Sequence, residues 1–237
     1  MIIHSGRSLG GPVSTVKQLP SWLMTDATID KPAPVSTGAS PDKREAILAA
    51  ALHLIAKLGL HAAPMSAVAR EAGVAAGTLY LYFPSKEAMI NALYLEVLEH
   101  RDRSMADDAE GARSGGAIGR AGLWAFWHGL ARWHLDHPDA SSFLLQVKSS
   151  AILTDETRDA ERRMNAEGLA NFEHAVAAGR LRDLPLQVFW ALVAGPIFLL
   201  AQMRDAGEME ITDDALRETF DGVCRSVLPE LELTTSG

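Results

Sequence analysis

One cysteine, Cys224, stands among 237 residues. An internal disulfide and a cysteine metal cluster are therefore excluded. It falls on an apolar helical stripe, where it reads as a small core or interface residue. Basic charge is also scarce, with 22 Lys and Arg against 30 Asp and Glu and a net charge of −8. That balance argues against a generally basic nucleic-acid coat. Residues 188–201 hold no charged or amide side chain. At fourteen residues the stretch is short of the roughly 20 needed to cross a bilayer. Met1-Ile2-Ile3 runs straight into His4, Ser5, Gly6 and Arg7, so no signal peptide is read and a cytoplasmic protein is expected. Strand-like alternation and internal repeats are missing too, which leaves an all-α fold.

The acidity is unevenly spread. Residues 1–40 hold three basic and two acidic side chains, and residues 41–103 hold seven of each. The whole excess of acid therefore lies in 104–237. A neutral N-terminal unit joined to an acidic C-terminal unit is expected, after a tail over 1–40 rich in Gly, Pro, Ser and Thr. Trp22-Leu23-Met24 is a small apolar knot within that tail.

Residues 73–89 are the most informative run. Met65, Val68, Ala69 and Ala72 recur at helical steps before it. Gly73 stops that helix, since glycine leaves a helix readily through positive φ. A short second helix follows with Thr78, Leu79 and Tyr82, and Pro84 ends it. Ser85 caps the next helix, opened by Lys86-Glu87. Helix, tight glycine turn and short helix form a helix-turn-helix, whose second helix lies in the DNA major groove. The charge balance allows only a few phosphate contacts, from Lys43, Arg44, Lys86, hydroxyls and backbone amides.

Ala72-Gly73-Val74, Gly77-Thr78-Leu79-Tyr80, Tyr82-Phe83 and Ser85-Lys86-Glu87 together resemble the N-terminal domain of the TetR family of transcriptional regulators. The close match covers roughly 42–95, and beyond it only the layout is shared. The resemblance implies that Ala76, Gly77, Thr78 and Leu81 approach base edges, and that Tyr82 and Lys86 hold phosphates. Ala75 joins the methyl contacts to thymine, because no Arg, Asn or Gln stands there for a bidentate base contact. Tyr80 divides between a phosphate contact and support of the helix, while Leu79 is read as core. Family members often carry a capping threonine where Ala63 stands, so about 1 kcal/mol of capping is missing. Ser66 can substitute for that residue's phosphate contact. The domains expected are 1–40 tail, 41–103 helix-turn-helix, and 104–237 ligand sensing and dimerisation.

Further helices are expected from Ser40-Pro41 to Gly59, from Lys86 to Asp107, from Ile118 to His137, and briefly around Phe143–Val147. One long helix is expected from Thr154 to Gly179, an apolar one over 188–201 kinked at Pro196, and a last one from Thr212. The stretch 111–122 is a flexible joint or a frayed helix start. The family layout implies a homodimer through the last two helices, reading a pseudo-palindromic operator in double-stranded DNA. Trp124, Trp127, His128, Phe143, Met164, Phe172, Trp190 and Met203 are candidates, by position, to line a site for a small apolar or aromatic effector; each can equally be core. His134 and His137 lack a third ligand, so no metal site is expected, nor any cofactor. The expected function is a repressor released from its operator by such an effector. The alternatives are a ligand-independent or nucleoid-associated DNA binder, and a helical enzyme. The enzyme has little behind it, with no His-Glu-x-x-His and no phosphate-binding glycine loop.

Overall fold

A computed structural model describes residues 43–109 and 119–230. Ten helices and no strand occur among the described residues. The tail 1–40, the Ser40-Pro41 helix start and most of 111–122 lie outside them.

Helix α1 (Lys43–Leu58) buries Ile47, Leu48, Ala51, Leu52 and Ile55, one stripe at three- and four-residue steps. It ends at Gly59, whose φ of +94° suits glycine. Then come α2 (Met65–Glu71) and α3 (Ala76–Tyr82). Pro64 stands before α2 without a side-chain cap, and Ala63 behind it is buried. Helix α4 (Lys86–Ala109) is 24 residues long, or about 36 Å. It starts with a cap, Ala88 N–H donating to Ser85 Oγ at 3.0 Å.

Helix α5 spans Arg120–Asp136 and α6 spans Pro138–Lys148. The latter begins five residues earlier than expected, because Pro138 takes the first helical position, where its missing N–H costs nothing. The single helix expected over 154–179 is two, α7 (Asp155–Met164) and α8 (Ala166–Ala177), divided at Asn165. Asparagine competes with the helix for its own backbone groups. Thr154 caps α7 by accepting the Thr157 N–H at 3.3 Å. Helix α9 (Leu186–Asp205) runs without interruption through Pro196. It has 20 residues, 18 of them in a window with a mean hydropathy of 1.7, enough by length and composition to cross a membrane, contrary to the shorter expectation. Helix α10 (Asp213–Val227) is capped by Thr212, which accepts the Ala215 N–H at 3.2 Å.

Two hydrophobic cores result. The first joins α1–α4 to Trp133, Phe143, Leu144, Val147 and Leu153. The second joins Leu123, Trp127 and Leu130 of α5 to Phe189, Val193 and Ile197 of α9 and Leu216, Phe220 and Val223 of α10. Helix α9 has no charged or amide side chain over 188–201. It buries only Phe189, Val193, Ile197 and Ala201, four residues apart on one face. Val188, Ala191, Gly195 and Leu199 on the opposite face are exposed.

Candidate nucleic-acid interface

The turn between α2 and α3 is built by Gly73, at φ +67°. Val74 N–H donates to Ala69 O at 2.9 Å and Gly73 N–H to Arg70 O at 3.2 Å. This pair of bonds is the Schellman arrangement, which satisfies the carbonyls at a helix end. Leu79, fully buried, and Phe83 anchor α3 to the first core. The rest of α3 faces outward. Leu81 is 86% exposed, Tyr80 53% and Tyr82 41%. Ala75, Ala76 and Gly77 are exposed and Thr78 is half-buried. Three large side chains so exposed on one short helix form an apolar patch open to a partner. A Cβ placed on Gly77 would meet no heavy atom within 4 Å, so nothing inside the protein calls for its smallness.

The cations are held differently from expectation. Lys43 and Ser66 are exposed. Lys86 is half-buried, and its Nζ donates to His61 O at 3.0 Å. Burial lowers its pKa, and two of its three protons are left for a phosphate. Arg44 turns inward. It pairs with the Glu96 carboxylate of α4 and lies 5.8 Å from the Phe83 ring centre. A phosphate would have to compete with that pair, so Arg44 braces the end of α3 more directly than it meets DNA. Arg70, exposed beside the Gly73 turn, is a cation that sequence reasoning passed over. Its place in the last turn of α2 was the available signal.

The eight effector-site candidates do not converge. Phe143 lies in the first core and Met164 packs against it. Trp127 is fully buried in the second, its Nε1–H donating to Val193 O at 2.9 Å. Trp124 stacks on His128 at 4.8 Å and meets Phe220 edge-on at 5.0 Å. Phe172 touches Phe189 at 4.7 Å. Trp190 is 42% exposed and meets Phe126. Met203 is half-buried. A cleft of about 830 Å³ opens instead where the α1–α2 loop meets α4 and the end of α6. Another of about 210 Å³ lies between α6 and α9. Neither is lined by any of the eight, because the long hydrophobic side chains were spent on packing.

His134 is buried against Ser141 at 3.0 Å, and His137 donates to Trp133 O at 2.9 Å. Among the described residues no three His, Cys, Asp or Glu side chains are grouped to hold a metal. Gly6-Arg7-Ser8-Leu9-Gly10 has the spacing of a hydrolase nucleophile elbow. It lies outside the described residues, and such an elbow needs a strand leading into it.

Residues 47–93 match the family model for the bacterial regulatory proteins of the tetR family. An uncharacterised HTH-type transcriptional regulator, YvdT of Bacillus subtilis, is 47% identical over 58 residues, covering 24% of this chain and 30% of that protein. The HTH-type transcriptional repressor KstR of Rhodococcus jostii is 48% identical over 63 residues, covering 26% and 30%. The chain thus spans about a third of the length of the curated relatives it matches. A solved TetR family transcription regulator from Marinobacter aquaeolei VT8 aligns with 79% of this chain and 96% of its own, at 26% identity and a TM-score of 0.71. The matched residues enclose α2, the Gly73 turn, α3 and the start of α4, and the likeness in fold runs on through the later helices. Residues 47–93 thus carry the helix-turn-helix sequence of the tetR family of bacterial regulatory proteins, and the described helices share the fold of a solved TetR family regulator.

Proposed function

We propose that this protein is a cytoplasmic transcriptional regulator that reads a pseudo-palindromic operator as a homodimer. The observation that carries the reading is the exposure of Leu81, Tyr80 and Tyr82 on a helix whose Leu79 is locked into the core. Ala75, Ala76, Gly77, Thr78 and Leu81 meet base edges. Tyr82, Lys86, Ser66 and Lys43 meet phosphates, and Tyr80 adds a phosphate contact or supports the helix. Few long polar groups face the bases, so part of the specificity comes from DNA shape. The domain division follows the chain: 41–103 reads DNA, and 104–237 senses and dimerises.

The dimer forms through α9 and α10. The exposed stripe of Val188, Ala191, Gly195 and Leu199 supports this, since small and apolar residues in a row gain most from a second copy. It also gives the apolar α9 a use other than crossing a membrane. Repression is the sign of regulation, as in the name of the Rhodococcus jostii relative. A small apolar or aromatic effector releases the protein by favouring a conformation with badly spaced reading helices. The stacked, half-buried rings of Trp124 and His128, beside the second core, support a place for it there. The likeness to regulatory proteins, in sequence over 47–93 and in fold beyond, favours a regulator over an enzyme.

Selection of bound fragments from random DNA tests the proposal. A recovered pair of inverted half-sites about one helical turn apart supports it. Recovery of no motif, with protection that has no boundary, points to a nucleoid-associated binder and sinks it.

A further inference from the structure

The loop between α1 and α2 is gripped from two sides. The bonds that close α1 run from Gly59 N–H to Ile55 O, and from Ala62 and Ala63 N–H to Gly59 O. The N–H of buried Leu60 goes elsewhere, to Gln146 Oε1 at 2.8 Å in the last turn of α6. Gln146 Nε2 donates to Ser142 Oγ at 3.2 Å, which fixes the amide's orientation. From the other side, Lys86 Nζ holds the next carbonyl, His61 O. Three residues on, the chain enters α2.

A second amide bridges the same joint in the opposite sense. Asn91 of α4 donates to Ile152 O at 3.0 Å, and its Oδ1 accepts the Thr154 N–H at 3.0 Å. Between the two amides lies the cleft of about 830 Å³, with Leu60, His61, Glu87, Gln146 and Ile152 among its walls. Phe143, Leu144 and Val147 pack one side of this joint against α1–α4, and the cleft leaves the other side to the hydrogen bonds across it.

We propose that Gln146 is a positioning residue for DNA reading: its bond to the Leu60 N–H sets the tilt of the reading head, and thereby the half-site spacing the dimer accepts. The inference rests on the function proposed above. Half-sites move apart in steps of about 3.4 Å per base pair. A small rotation of each head at the joint is therefore enough to change the preferred spacer. The buried Leu60 N–H needs an acceptor, so losing one frees the loop to look for another.

The test uses the full chain and two variants. Gln146→Leu removes the acceptor. Gln146→Glu keeps an oxygen for Leu60 at the same side-chain length. Amide exchange at Leu60 in the protein alone should quicken roughly three- to tenfold in Q146L and stay near wild type in Q146E. Duplexes carrying identical half-sites, with spacers one base pair shorter or longer than optimal, then report the tilt. Wild type and Q146E should discriminate among spacers. Q146L should lose most of that discrimination while keeping its base preference within each half-site. An unchanged spacer profile in Q146L overturns the proposal, as does unchanged Leu60 exchange. Faster exchange throughout α1 also overturns it, making Gln146 a residue that merely holds the fold. A wild-type protein that binds no two-half-site duplex sinks the functional reading itself, and this inference with it.

Discussion

Trp133 donates its indole N–H to His100 Nδ1 at 3.1 Å, across the seam between α5 and α4. An indole can only donate, so this nitrogen of His100 must stay unprotonated. Burial, then the charges of His137 and Arg103, lower the His100 pKa to about 4. Burial, then Arg101 and His137, lower that of His134 to about 3. Both rings are neutral at neutral pH, when His100 braces the α4–α5 seam and His134 ties α5 to Ser141 of α6.

Stability should therefore fall on acidification. In the unfolded chain these histidines titrate near 6.5. Between that value and their folded pKa values the unfolded chain binds more protons, so the loss starts near pH 6.5 and levels off below about 4 for His100 and about 3 for His134. The slope is at most about 1.4 kcal/mol per pH unit for each ring. Urea unfolding compared at about pH 7.5 and pH 5 should show a loss of up to about 4 kcal/mol, roughly 2 for each ring. Equal unfolding free energies would contradict neutral burial of the pair.

Leu81 and Leu79 stand two residues apart and should respond in opposite ways. Leu81→Ala should leave stability within about 0.5 kcal/mol and weaken operator binding. Leu79→Ala empties a fully buried site and should cost about 2–5 kcal/mol. Thr78→Val should shift base preference at one position of the half-site. Thermal melts and mobility-shift titrations separate these effects. Undiminished binding by both the Leu81 and Thr78 variants would mean that α3 is not the reading helix.

Lys86→Ala should weaken binding to all DNA sequences alike. The slope of log affinity against log salt should flatten by about 1 for each lost phosphate contact per head. A changed base preference with an unchanged salt slope would assign Lys86 wholly to its bond with His61 O.

Leu199 is 57% exposed on α9. Leu199→Lys should leave the monomer's melting point nearly unchanged while raising the dimer dissociation constant by about two orders of magnitude, as roughly 1.5 kcal/mol of apolar contact is lost from each copy. Light scattering over a dilution series checks this. A variant still dimeric at low concentration would place the interface on another face.

The helix-turn-helix fold was legible because its signals are local. Gly73 at positive φ, the Ser85 cap and the alternation of Leu79 with exposed neighbours all act within a few residues. The division at Asn165 was not legible, since asparagine is tolerated inside many helices and only the packing around it decides. The same holds for Arg44. Its spacing from Glu96 spans 52 residues, and no periodicity reports a pair so distant in sequence. The effector candidates were chosen by type and helix, and aromatic side chains of one type serve equally in two separate cores. The split of α9 into a buried face and an exposed one was not legible either, because its residues are apolar all round and only the packing of Phe189, Val193, Ile197 and Ala201 tells the faces apart.

The first core reaches well beyond the reading head, drawing in Phe143, Leu144, Val147 and Leu153 from α6 and the loop after it. A fragment cut at residue 103 would present the other half of that contact to water as a sticky patch. Anyone grafting this head onto a foreign regulator would have to carry residues 138–153 with it, or repaint the surface they cover.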